Sequence, residues 1–366
     1  MVEFDRAPAD AVDLAGISRA LVIKLRHHGD VLLTSSVFSV LKNRAPHLEI
    51  DALVYHDTRE MLSLHPAISN LYTIDHAWKR ASWFARLGHE WRLVKQLRAR
   101  GYDLVIHLTE SYRGAWLAQW LTPPVRVAQD YPGRRARFWK ASFTHLYKIP
   151  AKPRHRVELH LDALRRIGVY PGFEERRLTL VPGADAEATV DDLLRRMGVA
   201  RGQFVHLHPT SRWLFKCWDV EKYTALIQAL YDAGTRVVLT AAPAEHELAF
   251  VRAIYKGLRA PVVDLAGQLT LKQLAALSAR ASCFVGVDSV PMHIAAAMGT
   301  PTVALFGPSG DLEWGPWMVR SRVLTSNHSC RPCGFDGCGQ GKISECLSAI
   351  RVEQVLDAVY GVSGGA

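Results

Sequence analysis

Short apolar runs recur along the chain, each closed by glycine, proline or a polar cluster. Residues 21–25, 48–54, 104–108 and 125–128 have the length and composition of buried strands. Longer segments of mixed apolar and polar positions lie between them: 31–43, ended before Pro46, the basic 83–100, and 111–121, stopped by Pro123 and Pro124. These read as helices. Residues 154–167 read as a helix closing this half, and 170–184, with two Pro-Gly pairs, as a linker. The pattern then restarts, with strands at 204–208, 236–240, 262–265, 283–287 and 302–306 and helices between them. Residues 351–360 read as a last helix. Repeated alternation of strand and helix predicts an α/β architecture of parallel sheets covered on both faces.

Length and charge sharpen this picture. At 366 residues the chain exceeds one compact core and predicts two domains. With 49% hydrophobic and 22% charged residues it has the composition of a soluble globular protein. A net charge of +10 predicts acidic partners: phosphates, carboxylates or an anionic membrane face. No nucleic-acid-binding motif is present, so nucleic acid is not an expected partner. Residues 1–20 carry acidic side chains and no long apolar core, unlike a signal peptide. No segment reaches membrane-spanning length. A cytoplasmic protein, held at most at a membrane surface, is expected. Basic residues are dense at 79–100 and 134–140, where Arg134 and Arg135 are interleaved with Trp78, Trp83, Phe84, Phe138 and Trp139. Most such charges form solvated faces; a subset suits an acidic glycolipid or a membrane surface.

Residues 286–308 are the most informative stretch. They read strand, tight turn, helix, tight turn, strand. Ser289 stands at an N-cap position and Pro291 in the first turn, while Gly299 and Pro301 end the helix. A helix start at the carboxyl end of a strand is a ready phosphate site, although every parallel strand–helix–strand unit provides one. In the first loop, Lys24-Leu25-Arg26-His27-His28-Gly29-Asp30, Asp30 is either an N-cap or a carboxylate able to take a proton from a hydroxyl. Lys24 at the end of a buried strand should reach an anion or the solvent. In the loop 208–218, Thr210 and Ser211 can donate to phosphate oxygens, and Lys216 supplies a positive charge. Further on, Glu245 and Glu247 compete as an acidic group at a helix start.

Asp288, Ser289, His293, Ile294, Ala295, Ala296, Gly299, Pro301 and the run from Ala304 to Pro308 resemble the C-terminal signature of the lipopolysaccharide heptosyltransferases. Val290 departs from that pattern, which has a small residue there. The lysine-bearing strand followed by Gly29-Asp30, and the Thr-Ser loop leading to Lys216 and Trp218, resemble the same family. The resemblance implies a GT-B fold, two Rossmann-like domains with parallel sheets facing across a cleft: an acceptor-binding domain at 1–180, a donor-binding domain at 181–348, and a final helix at 349–366 crossing back to the first. It implies an inverting glycosyltransferase moving a heptose from ADP-heptose to the inner core of lipopolysaccharide, peripheral at the inner face of the cytoplasmic membrane. It also implies Asp30 as general base, Lys216 at the leaving diphosphate, and Thr210, Ser211, Glu245, Asp288, Ser289, Val290 and His293 around the donor. Glu247 remains the alternative to Glu245. His27, His28, Arg134 and Arg135 are expected on the acceptor side.

No D-x-D motif occurs, and neither cofactor nor metal is expected. Cys330, Cys333, Cys338 and Cys346 invite a zinc reading, but the spacing is unlike a zinc ribbon and the alternative is reduced thiols shaping a loop. The segment 330–347 is most similar to family members that add a branching third heptose. Transfer of the first or second heptose is the alternative, and a nucleotide-sugar-binding protein without turnover is a reading of another class. A Rossmann G-x-G-x-x-G is absent after the first strand, against a dinucleotide oxidoreductase.

Overall fold

The computed structural model describes residues 8–80, 82–131 and 137–364, and the chain separates into two compact units, Met1–Thr179 and Leu180–Ala366. The first is built on six parallel strands: β1 (Arg19–Lys24), β2 (Glu49–Tyr55), β3 (Asn70–Ile74), β4 (Leu104–His107), β5 (Val125–Gln129) and β6 (His145–Tyr147). Their order is β3-β2-β1-β4-β5-β6. Central β1 and β4 are buried along almost their whole length because helices cover both faces, which is why they read as continuous apolar runs. The Trp83–Arg100 helix starts where Ser82 accepts from the Ala85 amide and ends at Gly101, whose φ of 63° an L-residue rarely adopts.

The helix expected at 31–43 is two helices, His28–Leu32 and Ser35–Arg44. The Thr34 hydroxyl donates to the Val31 carbonyl at 2.6 Å, and Ser35 Oγ accepts from the Thr179 amide at 2.9 Å. Side chains thus satisfy backbone groups where the helix is interrupted.

The helix Tyr112–Leu121 passes so close to β4 that a Cβ added at Gly114 would lie 2.0 Å from His107 Cε1. His107 is fully buried and pushed down to about 4 by burial. Glycine to alanine inside a helix ordinarily stabilises by about 1 kcal/mol. Here the clash reverses the sign, and Gly114→Ala should destabilise by about 1–3 kcal/mol. A urea midpoint equal to or above that of the wild type would contradict this close packing.

The second unit repeats the design with β7 (Phe204–His208), β8 (Arg236–Leu239), β9 (Val263–Asp264), β10 (Cys283–Val287), β11 (Thr302–Leu305) and β12 (Ser321–Leu324), in the order β12-β11-β10-β7-β8-β9, all parallel. The helix Ala184–Arg196 begins at the end of the stretch expected as linker and buries Val190 and Leu194. The last helix is Val352–Ser363. It buries Val355, Ala358, Val359 and Val362 in one core with Val285, Val303 and Leu305 of the second unit's own sheet. Trp218 Nε1 donates to the Ile350 carbonyl at 3.1 Å just before it, so Trp218 serves packing.

Candidate functional site

In open α/β sheets, ligands gather at the carboxyl ends of strands where the strand order reverses. In the first unit that point lies between β1 and β4. Lys24 ends β1 and is buried; its Nζ donates to the Leu108 carbonyl (3.0 Å) and to His160 Nε2 (3.0 Å) and stands 3.6 Å from Asp30 Oδ1. His160 Nδ1 lies 3.1 Å from the Leu33 carbonyl, so the ring proton sits on Nδ1 and Nε2 accepts from Lys24. Burial pulls the Lys24 ammonium down to about 8, against the opposing attraction of Asp30. Burial, with Lys24 alongside, holds His160 neutral, well below its ordinary value.

Asp30 is not the N-cap. That position is His27, and Asp30 follows in the first turn of the His28–Leu32 helix, with its side chain 17% exposed. The carboxylate is held by a buried cation on one side and reaches solvent on the other. His28 is committed elsewhere: its Nε2 donates to the Asp57 carbonyl at 2.9 Å. His27 is exposed, while Arg134 and Arg135 lie outside the described residues.

In the second unit the reversal lies between β7 and β10. Gly286 pairs with His208, so the loop after β7 and the turn after β10 leave the sheet side by side. Lys216 Nζ consequently meets Asp288 Oδ2 at 2.6 Å and lies 5.4 Å from the centre of the Trp213 ring. Both partners are largely buried, at 19% and 10% side-chain exposure. Ser211 Oγ accepts from the Trp213 amide at 3.4 Å and shapes the same loop. Ser289 takes the N-cap position of the Val290–Ala297 helix, but its hydroxyl donates to the Val287 carbonyl at 3.3 Å instead of capping. The helix start has no side-chain cap: Val290 is its first residue, Pro291 carries no amide hydrogen, and the Met292 amide donates to the Ser289 carbonyl at 3.2 Å, so the Val290 amide and the positive dipole end face the turn. His293 is buried one turn further on, its ring 6.4 Å from that of Trp314.

The two glutamates separate cleanly. Residues two apart on a helix point to nearly opposite sides. Glu245 is exposed and pairs with Arg252. Glu247 shares the buried face with Val251 and Ile254, and its Oε2 accepts from the Thr210 hydroxyl at 2.6 Å. Glu247, not Glu245, is therefore the acidic group joined to the Thr210 loop.

Behind Thr210 runs a line of buried polar groups. Thr210 Oγ1 lies 3.4 Å from His208 Nε2, and His208 Nδ1 lies 2.8 Å from Thr240 Oγ1. Thr240 Oγ1 is 2.8 Å from His206 Nε2, and His206 Nδ1 is 3.1 Å from Ser278 Oγ. Burial holds both imidazoles neutral, His206 well below its ordinary value and His208 at about 3. Each ring then supplies one donor and one acceptor, and the line fixes the Thr210 hydroxyl and the Glu247 carboxylate from beneath. The sequence reading did not single out this line or His160. The available signal was the pair His206 and His208, two apart on an otherwise apolar strand and so on one face of it.

The six cysteines are free thiols, with Cys330 exposed and Cys346 buried, and among the described residues no group of three or more His, Cys, Asp or Glu side chains is placed to hold a metal ion.

A family model described as glycosyltransferase family 9 (heptosyltransferase) matches residues 90–343. Among curated relatives, the chain is 40% identical over 294 residues to lipopolysaccharide heptosyltransferase 3 of Escherichia coli, covering 80% of this chain and 84% of that one. It is 28% identical over 330 residues to lipopolysaccharide heptosyltransferase 1 of Pseudomonas aeruginosa, covering 86% of each. Among solved structures, it superposes on a glycosyl transferase of family 9 from Veillonella parvula with a TM-score of 0.81 at 22% identity, covering 94% of this chain and 97% of that one. It also superposes on the E. coli heptosyltransferase WaaC with ADP, with a TM-score of 0.73 at 21% identity, covering 94% and 99%. These superpositions give the fold, which is GT-B.

Proposed function

The chain belongs to glycosyltransferase family 9, the heptosyltransferases, and from that premise we infer that it transfers L-glycero-D-manno-heptose from ADP-heptose to the inner core of lipopolysaccharide. It is a glycosyltransferase enzyme of core assembly. The finer reading is addition of the branching third heptose onto the second. The observation that carries it is the 40% identity with lipopolysaccharide heptosyltransferase 3 across most of both chains.

The geometry supports a division of roles. Asp30 takes the proton from the acceptor hydroxyl, whose oxygen bonds to the anomeric carbon of the heptose as the bond from that carbon to ADP breaks. Lys24 and His160 position Asp30. In the second unit Lys216 and the positive end of the Val290–Ala297 helix stabilise the diphosphate that leaves. Thr210 and Ser211 line the same loop, and Asp288 aims the Lys216 ammonium. Glu247, carried by the polar line from His206, is the acidic group available to the donor's ribose. Among the described residues no helix is long and apolar enough to cross a membrane, and a peripheral place at the inner face of the cytoplasmic membrane suits a glycolipid acceptor.

Release of ADP, measured with defined truncated lipopolysaccharides, tests the reading. An acceptor carrying two heptoses should be glycosylated and one carrying a single heptose should not. The reverse pattern would assign the chain to the second heptose, use of only a heptose-free acceptor would assign it to the first, and no release with any of the three would remove the transferase reading.

A further inference from the structure

On the helix-covered face of the first unit formed by Trp83–Arg100, Tyr112–Leu121 and Arg137–Ser142, large aromatic side chains point outward. Trp83 is 64% exposed, Phe84 72% and Trp91 64%, with Leu87 between them. At 3.6 residues per turn these four fall within about 100° of the helix circumference, all in the first half of the helix; buried Leu93 and Leu97 follow in its second half, on the flank adjoining Trp83. On the neighbouring helix Trp116 and Trp120 are half exposed, with their rings 5.8 Å apart. The stripe of Trp83, Phe84, Leu87 and Trp91 does not pack the core; the helix reaches the core in its second half, through Leu93 and Leu97 with Val94 packed alongside.

The charge around the stripe is one-sided. The three helices hold a single acidic residue, Glu90, and it is paired with Arg113. Arg92, Lys95, Arg98, Arg137 and Lys140 are exposed on them. Lys95 Nζ lies 5.2 Å from the centre of the Trp91 ring, so cation and aromatic share one surface. A helix with Trp, Phe and Leu on one arc and Arg and Lys bordering it suits the plane between lipid headgroups and acyl chains. A second copy of this chain is disfavoured, because a two-fold interface would set this basic face against itself.

We propose that this face docks on an anionic lipid bilayer, with Trp83, Phe84, Leu87 and Trp91 entering the interfacial layer and Arg92, Lys95 and Arg98 meeting lipid phosphates. The proposal rests on the glycolipid acceptor inferred above and assigns the surface that brings the enzyme to it. The side chains involved are exposed, so replacing them leaves the fold intact, and none belongs to the proposed catalytic or donor-binding set.

The test is flotation of the full chain with phosphatidylcholine vesicles carrying about 30% phosphatidylglycerol, a proportion that gives a negative surface potential. A triple variant, Trp83→Ser with Phe84→Ser and Trp91→Ser, and a double variant, Arg92→Glu with Lys95→Glu, should each lower partitioning about tenfold or more. Wild-type partitioning should weaken as salt rises. Transfer to a core oligosaccharide freed of its acyl chains should stay within about twofold in both variants, the size of an unperturbed site. Equal partitioning of wild type and variants overturns the proposal, as does a wild-type chain that ignores these vesicles. A wild-type dimer that dissociates in the triple variant while vesicle binding is unchanged gives the face to a second copy and also overturns it. Failure of the wild type to use the oligosaccharide strikes the transferase reading instead, and the vesicle results still decide the docking face.

Discussion

Asp30→Asn should cut heptose transfer about 10²–10⁴-fold, the usual contribution of a positioned base, with ADP affinity nearly unchanged. The substitution keeps the shape and removes only the charge and the basicity. Asp30 stands in the first turn of the His28–Leu32 helix, at the strand-order reversal between β1 and β4, with Lys24 3.6 Å away. Lys24 retains its bonds to the Leu108 carbonyl and His160 in the variant, so the loop keeps its anchor. Losing the carboxylate removes the attraction of Asp30 that opposes burial at Lys24, so the ammonium should deprotonate more readily. The measurement is kcat and KM for donor and acceptor separately, on protein whose thermal unfolding matches the wild type. A loss confined to kcat fits a base that acts in the transition state. Activity within a few-fold of the wild type would make Asp30 only an ion-pair partner of Lys24.

What could be read from the sequence follows from burial. Strands β1, β2, β4, β7, β10 and β11 lie inside the sheets, where both faces are covered, and each produced an apolar run. Edge strands β3, β6 and β12 are partly exposed, and Asn70–Ile74, His145–Tyr147 and Ser321–Leu324 lack such a run. Local patterns could place Thr210, Lys216 and Asp288 on loops after strands. The 2.6 Å ion pair between Lys216 and Asp288 depends on β7 and β10 being neighbours, which sequence order hides. His160 escaped notice for the same reason: it is 136 positions from Lys24. The choice between Glu245 and Glu247 was open to periodicity, because only Glu247 stands four and seven residues before buried Val251 and Ile254. The apolar face of the last helix shows in the sequence that it is buried; that it packs against Val285, Val303 and Leu305 is visible only in the fold.

Lys216→Ala should weaken ADP binding about tenfold or more and slow transfer by about 10²–10³, because a charge-assisted contact to the diphosphate grows as negative charge develops on the leaving group. The ammonium is preorganised: Asp288 Oδ2 holds it at 2.6 Å, and the Trp213 ring lies 5.4 Å from it. Removing it has a second effect. Asp288 is left with a largely buried carboxylate that has lost its lysine, next to the helix start that would meet the diphosphate, and this stranded charge repels an anion. Combining Lys216→Ala with Asp288→Asn separates the two. If repulsion dominates the binding loss, the double variant should regain most of the ADP affinity, read by calorimetry, while transfer stays slow because the leaving-group charge is still unopposed. The chain has no D-x-D motif, so a divalent cation is not expected to substitute for the lysine, and EDTA should leave wild-type transfer unchanged. Transfer by Lys216→Ala within about threefold of the wild type, or wild-type activity abolished by EDTA and restored by magnesium, would remove Lys216 from the leaving-group role.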